Sequence, residues 1–270
     1  MNNAISDSGV FVDAVLEAAA EAPAADLIDL RVGPYWVVVR TSRGAGMASA
    51  LRSEDHLHGS QPIGSAGELH RRTPLELTKL LRSDSPPESA VGLAAANALL
   101  APAAADLRDE KAVAILRERG RGHKVAMIGR FPFADTLRED CDQLWVFERS
   151  LNRRQEDFGE EALERLLPQA DVVAVTATTL LNRTLPRVLA GIRPDAFVML
   201  LGPSTPLTPA LFRFGFDVLC GTVVEDPEAV LRAVEQGAVT SQITGVRRVC
   251  LWNKSELNAK TPRRKDAKFF

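Results

Sequence analysis

The chain has 270 residues, 46% hydrophobic and 25% charged, with a net charge of −2, which is material for one large or two smaller soluble domains. So even a balance gives no reason to expect nucleic acid or an acidic membrane as a partner, and no apolar run reaches the ~20 residues of a membrane-spanning helix. The opening stretch, MNNAISDSGVFVDAVLEAAAE, lacks the basic start and unbroken apolar segment of a signal peptide, so a cytoplasmic location is expected.

Phe11–Ala20 carries apolar residues at helical spacing, and Pro23 ends that helix. Leu27–Val32, Tyr35–Arg40 and Met47–Leu51 read as three short strands divided by Gly33-Pro34 and Arg43-Gly44-Ala45-Gly46, a small antiparallel meander. Ser53–Gly67 is polar and glycine-rich and reads as a solvated loop; its His56 and His58 form an H-x-H pair, a pattern that can ligate metal. Thr73-Pro74-Leu75-Glu76 is a capping box with proline in the first turn, and Ser85-Pro86-Pro87-Glu88 repeats it. The helix that follows, to Leu100, has a face of Gly92, Ala94, Ala95, Ala96 and Ala98, with Asn97 as its polar exception. Small residues allow another element to come close. Ala101–Asp106 is the expected boundary, giving an α+β domain over 1–105, and Asp109–Arg119 is a helix closed by Gly120.

From Lys124 the pattern alternates. Strands are expected at Lys124–Ile128, Leu144–Phe147, Asp171–Thr176, Ala196–Leu201 and Asp217–Cys220, with helices at Ala134–Asp140, Glu160–Leu167, Arg183–Ala190, Pro206–Phe214 and Asp226–Gln236. Such alternation predicts an α/β fold, a Rossmann-like parallel sheet with helices on both faces, over 106–252. Val246–Trp252 reads as an added edge strand. The segment 253–270 holds six Lys/Arg against Glu256 and Asp266 and reads as a basic, partly disordered tail. Cys141, Cys220 and Cys250 are odd in number, distant and without CxxC spacing, so three free thiols and no zinc site are expected.

In open α/β sheets ligands sit at the carboxyl ends of the strands. Two strand ends carry the equipment for that: Thr176, Thr178, Thr179 and Asn182 in AVTATTLLN, and Gly202, Pro203, Ser204 and Thr205 in LLGPSTPL. Hydroxyls and backbone N–H groups at a helix start suit an anion, and Ser204 or Thr205 is placed to cap a helix begun by Pro206. After the first parallel strand, GRFPF keeps only Gly129 of the G-x-G-x-x-G fingerprint, and Pro132 removes a donor, so a classical NAD site is disfavoured. Glu148 stands 19 residues beyond Gly129, near the ~20 at which such folds place a ribose-binding acid. No catalytic Ser-His-Asp order, G-x-S-x-G, P-loop or H-E-x-x-H is present.

The strings KVAMIGRFPF, ADVVAVTATTLLNRTL, LLGPSTPLTPALF and FDVLCGTVVEDPEAVLRAVEQG resemble the DUF364 family, whose label is "putative heavy-metal chelation". LIDLRVGPYWVVV and TPLELTKLLRS…AVGLAAANALL resemble the companion DUF4213 domain, similar in fold to the N-terminal domain of enolase. The resemblance implies a cleft between the domains and maps the family's recurrent strings onto Gly129, Phe131, Pro132, Glu148, Thr176, Thr178, Thr179, Asn182, Gly202, Pro203, Ser204, Thr205 and Gly221. Ala177 replaces a glycine usual in the family's third strand motif. The expected function is binding of a small polar or anionic ligand, such as a metal ion or metal chelate, in that cleft. Two rivals are an enzyme holding an S-adenosylmethionine- or NAD-like cofactor by Glu148, and a non-catalytic homodimer packed through the small-residue helix.

Overall fold

The computed structural model describes residues 9–51, 61–100, 102, 104–149 and 153–254. His56, His58 and residues 255–270 of the basic tail lie outside them. The chain builds two sheets, one of three antiparallel strands and one of seven, mostly parallel.

The first sheet grows from the predicted meander. Helix α1 (Gly9–Ala20) buries Phe11, Val12, Val15, Leu16 and Ala19 along one stripe. Strands β1 (Leu27–Val32), β2 (Trp36–Thr41) and β3 (Gly44–Ser49) follow in sheet order. β3 starts three residues earlier than Met47 because Thr41 pairs directly with Gly44, and its hydroxyl donates to the Gly44 carbonyl at 3.1 Å. Helix α2 (Pro74–Thr78) opens with the predicted capping box, Thr73 accepting from the Glu76 N–H and Glu76 accepting from the Thr73 N–H. Helix α3 (Pro86–Leu99) starts where expected, but Ser85 makes no cap. Its hydroxyl donates to the Pro62 carbonyl instead, and Glu88 accepts from Ser83 and the Gly64 N–H.

The small-residue face of α3 is used inside the chain. β3 lies so close that a Cβ on Gly46 would stand 2.5 Å from the Ala94 oxygen and the Asn97 carbonyl carbon. Gly92 meets the Leu80–Leu81 backbone in the same way.

The second sheet has the order β4-β10-β9-β8-β7-β5-β6. Its strands are β4 (Leu107–Arg108), β5 (Lys124–Ile128), β6 (Gln143–Phe147), β7 (Val172–Thr176), β8 (Phe197–Leu201), β9 (Val218–Val224) and β10 (Val246–Trp252). β5 to β9 are parallel, as the alternation predicts, and β10 runs antiparallel beside β9. β10 is not the edge, because Leu107 and Arg108, just after the expected boundary Ala101–Asp106, pair with it as β4.

Helices cover both faces. α4 (Ala112–Gly120) and α5 (Ala134–Leu137) pack Ile115, Leu116, Ala134 and Leu137 on one side. α6 (Leu163–Leu166), α7 (Thr178–Leu181) and α8 (Leu185–Ala190) pack on the other. The helical turn Pro209–Phe214 joins them there, together with α1 and α3. α9 (Pro227–Glu235) has Asp226 as its cap and buries Val230, Leu231 and Val234 against Trp36, Val38 and Met47 of the small sheet. That patch joins the two sheets.

The cysteine expectation is corrected. Cys220 and Cys250 form a disulfide, and Cys141 is the free cysteine among the described residues. The two partners are 30 residues apart in sequence, yet they stand directly opposite across β9 and β10 with Cα atoms 4.2 Å apart. Strand register, which spacing does not reveal, brings them together. Cys141 is half-buried, and desolvation pushes its thiol pKa up, away from thiolate.

Candidate functional site

The wiring of the large sheet decides where a crevice opens. After β5 the chain turns to one face, where Ala134 and Leu137 join the core; after β7 it turns to the other, where Leu180 and Leu181 do so. β5 and β7 are neighbours, so two adjacent chains part in opposite directions at their carboxyl ends. Such a switch point is the usual ligand crevice of doubly wound sheets.

On the β5 side stands Gly129 at φ +87, a backbone conformation that favours glycine. A Cβ there would lie 2.8 Å from the Thr176 methyl, so its bare backbone also lets β7 end alongside. The Gly129 N–H donates to the Phe147 carbonyl, and the Arg130 N–H donates to Glu148 Oε2 at 2.9 Å. Those donors are spent inside the protein, and Pro132 has none. A pyrophosphate therefore does not find the usual cradle here, in agreement with the missing fingerprint. Phe131 and Phe133 stack with ring centroids 5.4 Å apart and pack on the α4/α5 side.

Arg130 is not a free anion receptor, because its charge is spent. Its guanidinium is 12% exposed and holds Asp157, whose side chain is fully buried, together with Asp135 at 2.7 Å. Arg154 reaches Asp135 from outside at 2.9 Å. Partial burial raises the Asp135 pKa, but the hydrogen bond from Arg154 and the charges of both arginines outweigh it, so the carboxyl titrates below its ordinary range. This cluster fixes the turn after β5 and the entry to α5.

On the β7 side, Thr176 and Thr178 are half-buried with their hydroxyls 3.0 Å apart. Thr179 is buried and donates to the Thr176 carbonyl at 2.7 Å, closing the single turn α7. Asn182 is exposed and accepts from the Thr184 hydroxyl and N–H. Arg183 follows at φ +60, left-handed for a residue with a side chain. Its guanidinium donates to the Arg82 and Ser83 carbonyls and bolts this loop to the turn before α3.

The end of β8 is different. Gly202 takes φ +121 and donates its N–H to the Cys220 carbonyl. Pro203 is half-buried, while Ser204 and Thr205 are 1% and 2% exposed. The Ser204 hydroxyl accepts from the Ser49 N–H at 2.8 Å and bonds the Ser49 hydroxyl at 3.1 Å, and Asn97 donates to the carbonyls of Met47 and Ser204. No helix starts at Pro206. The helical turn begins at Pro209 and is capped by Thr208. Gly221 on β9 is buried, and a Cβ there would meet Leu207 and the Thr205 carbonyl at 3.0 Å. This end is a seam against β3 and α3. It leaves the Asn97 Oδ1 and Thr205 Oγ1 atoms buried without a protein partner among the described residues.

Thr178 and Ser204 thus lie on the same edge of the sheet, as the alternation predicts, since β7 and β8 are parallel neighbours. Sequence reasoning missed Arg130 and Arg183 as organisers. GRFPF put Arg130 in view, but nothing local showed its distant acids, Asp157 above all.

A family model described as "Putative heavy-metal chelation", DUF364, matches residues 111–253, and a second of the same description, DUF4213, matches residues 15–100. The chain belongs to the DUF364 family. A DUF364 protein of unknown function from Desulfitobacterium hafniense has a crystal structure that superposes with a TM-score of 0.78 at 26% identity, covering 90% of this chain and 98% of that one. A Pyrococcus horikoshii member superposes at 0.75 with 20% identity, over 90% and 99% of the two chains, and speaks to fold alone. An uncharacterised protein of Methanocaldococcus jannaschii is 30% identical over 207 residues, 73% of this chain and 78% of that one.

Among the described residues the donor set of this DUF364 chain does not fit a directly ligated heavy metal. Among the described residues no three of His, Cys, Asp and Glu come together as a metal site. The rim carries hydroxyls and one carboxylate, Glu148, and soft metals prefer thiolate and imidazole. Among the same residues no helix is long and apolar enough to cross a membrane.

Proposed function

We propose that this DUF364 protein binds a small polar ligand, of the metal-chelate class, in the crevice where β5 and β7 part. The observation that carries the reading is that the Thr176–Thr178 hydroxyls at the end of β7 and the Glu148 carboxylate after β6, pinned by the Arg130 N–H, flank the carboxyl end of β5 on its two sides. Hydroxyls and a fixed acid suit a ligand that presents its own oxygen donors and polar groups. Such a ligand brings the metal already wrapped, so the protein needs no cluster of metal ligands of its own. The seam at Ser204 is the back wall, and the open part of the cleft is the β5/β6 side.

A second reading has one supporting observation. Glu148 ends β6, where Rossmann-type sheets hold the ribose hydroxyls of a nucleotide.

Native mass spectrometry of gently purified protein is the first test, since a retained ligand declares its mass. The second is thermal shift of the full chain with iron(III) citrate, citrate alone and adenosine. A rise in midpoint with the iron chelate, lost in Thr176→Val/Thr178→Val, supports the proposal. A response to adenosine that is lost in Glu148→Gln supports the nucleotide reading. No response to any of the three, with no mass retained, overturns both.

A further inference from the structure

Among the described residues no strand pairs with the outer edge of β1, and that edge has an unusual sequence. β1 is the terminal strand of β1-β2-β3. Gly33 bonds Trp36 through its N–H, and the register pairs Arg31 with Val38 and Asp29 with Arg40, so alternate residues face β2 and Leu30 faces away. The outward N–H of Leu30 is met by Asp29 Oδ1 at 2.7 Å, and its carbonyl by the Arg31 guanidinium at 3.4 Å. The two side chains also pair with each other at 2.5 Å. The flanking apolar residues are left in solvent, Ile28 54% and Val32 44% exposed. Edge strands usually protect themselves with proline or an unbalanced charge. Leu27–Val32, LIDLRV, has neither.

We infer that β1 is the pairing edge of a homodimer, two copies running antiparallel about Leu30 to fuse their small sheets into one of six strands. The inference is independent of the ligand site. LIDLRV is self-complementary under that symmetry. Leu30 faces Leu30 of the second copy and Asp29 faces Arg31 in both directions, while Ile28, at the bulge between Leu27 and Asp29, comes near Val32 of the second copy. The N–H and carbonyl of Leu30, now held by their own neighbours, exchange those bonds for backbone bonds across the dyad. Asp29 then lies between Arg40 on β2 and the incoming Arg31, a ladder of alternating charge across one face. Ile28 and Val32 leave water together. Closed two-fold pairing also abolishes the free edge, the usual end point of an isologous contact.

Charge reversal tests the pairing directly. Sedimentation of the full chain should give twice its 29.3 kDa mass. Asp29→Arg alone sets arginine against arginine, and Arg31→Asp alone sets aspartate against aspartate, so each variant should sediment as a monomer. Mixing the two monomeric variants restores opposite charges at both positions, and a heterodimer should form. That recovery also proves both variants folded. A parent chain that stays monomeric at its highest soluble concentration overturns the inference. So does a dimer that survives both single reversals, or a mixture that stays monomeric.

Discussion

At the end of β8, Ser204 lies under β3 with its hydroxyl bonded to Ser49 and its carbonyl to Asn97. At the end of β7, one strand away, Thr176 and Thr178 stay half-buried with hydroxyls turned to each other. Both ends pair hydroxyls with a small residue after a buried strand. The first has become glue between the two sheets, and the second remains at a crevice. The difference comes from what covers them. β3 and α3 close over the end of β8, where Ser49 and Asn97 bond Ser204. Polar residues at a strand end therefore mark an edge, and the rest of the chain decides whether that edge binds a ligand or binds the protein to itself.

The closed end should be far less tolerant than the open one, and Gly46→Val tests this hardest. The new side chain would collide with α3 backbone, which cannot rotate away, so the loss in urea unfolding should exceed about 4 kcal/mol or prevent folding. Gly202→Ala, at the same closed end but meeting no atom within 4 Å, should cost only the left-handed backbone, about 1–3 kcal/mol. Equal losses would mean the seam is not tightly packed. The next effect is redox. The Cys220–Cys250 bond staples the same closed side and encloses a loop of about 30 residues, so a reductant should lower stability by roughly 3–4 kcal/mol on the chain-entropy account. Without reductant the unfolded chain should titrate one thiol, Cys141, and three after reduction.

Smaller effects separate the two ends by function. Ser204→Ala leaves the Ser49 N–H without its acceptor in a buried seam and should cost about 1–3 kcal/mol while sparing ligand binding. Thr178→Val should do the reverse, costing at most about 1 kcal/mol in stability while weakening chelate binding. If Ser204→Ala alone abolishes binding, the closed and open ends have been assigned the wrong way round. The smallest effect is acid sensitivity on the open side. The folded pKa of Asp135 is depressed, so its contribution is complete above the unfolded value and is lost as pH falls through the folded one. Asp135→Asn should flatten the parent's stability decline in that acid window. An unchanged decline would show that the Arg130–Arg154 cluster does not set it.

The parallel strands were legible because each is an apolar run ended by glycine, proline or hydroxyls, as at Phe197–Leu201 before Gly202. The capping box at Thr73 was legible because every atom it uses lies within four residues. What the sequence hid was register and cover. Cys220 and Cys250 meet only because β10 folds back on β9, and no spacing rule reads that. Ser204 loses its place as an open rim hydroxyl to Ser49, 155 residues away. The hydroxyl cluster on the β7 side was legible because its partners, Thr176 to Thr179, are local, and Glu148 is held by the Arg130 N–H, one strand away.

The fit of β3 against α3 has a consequence for how this chain can change over generations. Most tight contacts between side chains can be relieved by trimming the neighbour, so a harmful substitution at one position is rescued by a second elsewhere. At Gly46 the nearest atoms are the Ala98 nitrogen, the Ala94 oxygen and the Asn97 carbonyl carbon, all main chain. Nothing at positions 94, 97 or 98 can be made smaller in the required direction. A library randomised along α3 should therefore yield no suppressors of Gly46→Val, and any rescue should map to residues that shift the helix as a whole. The position is historically locked, and its freedom to vary depends on moving a whole element and not on exchanging one residue.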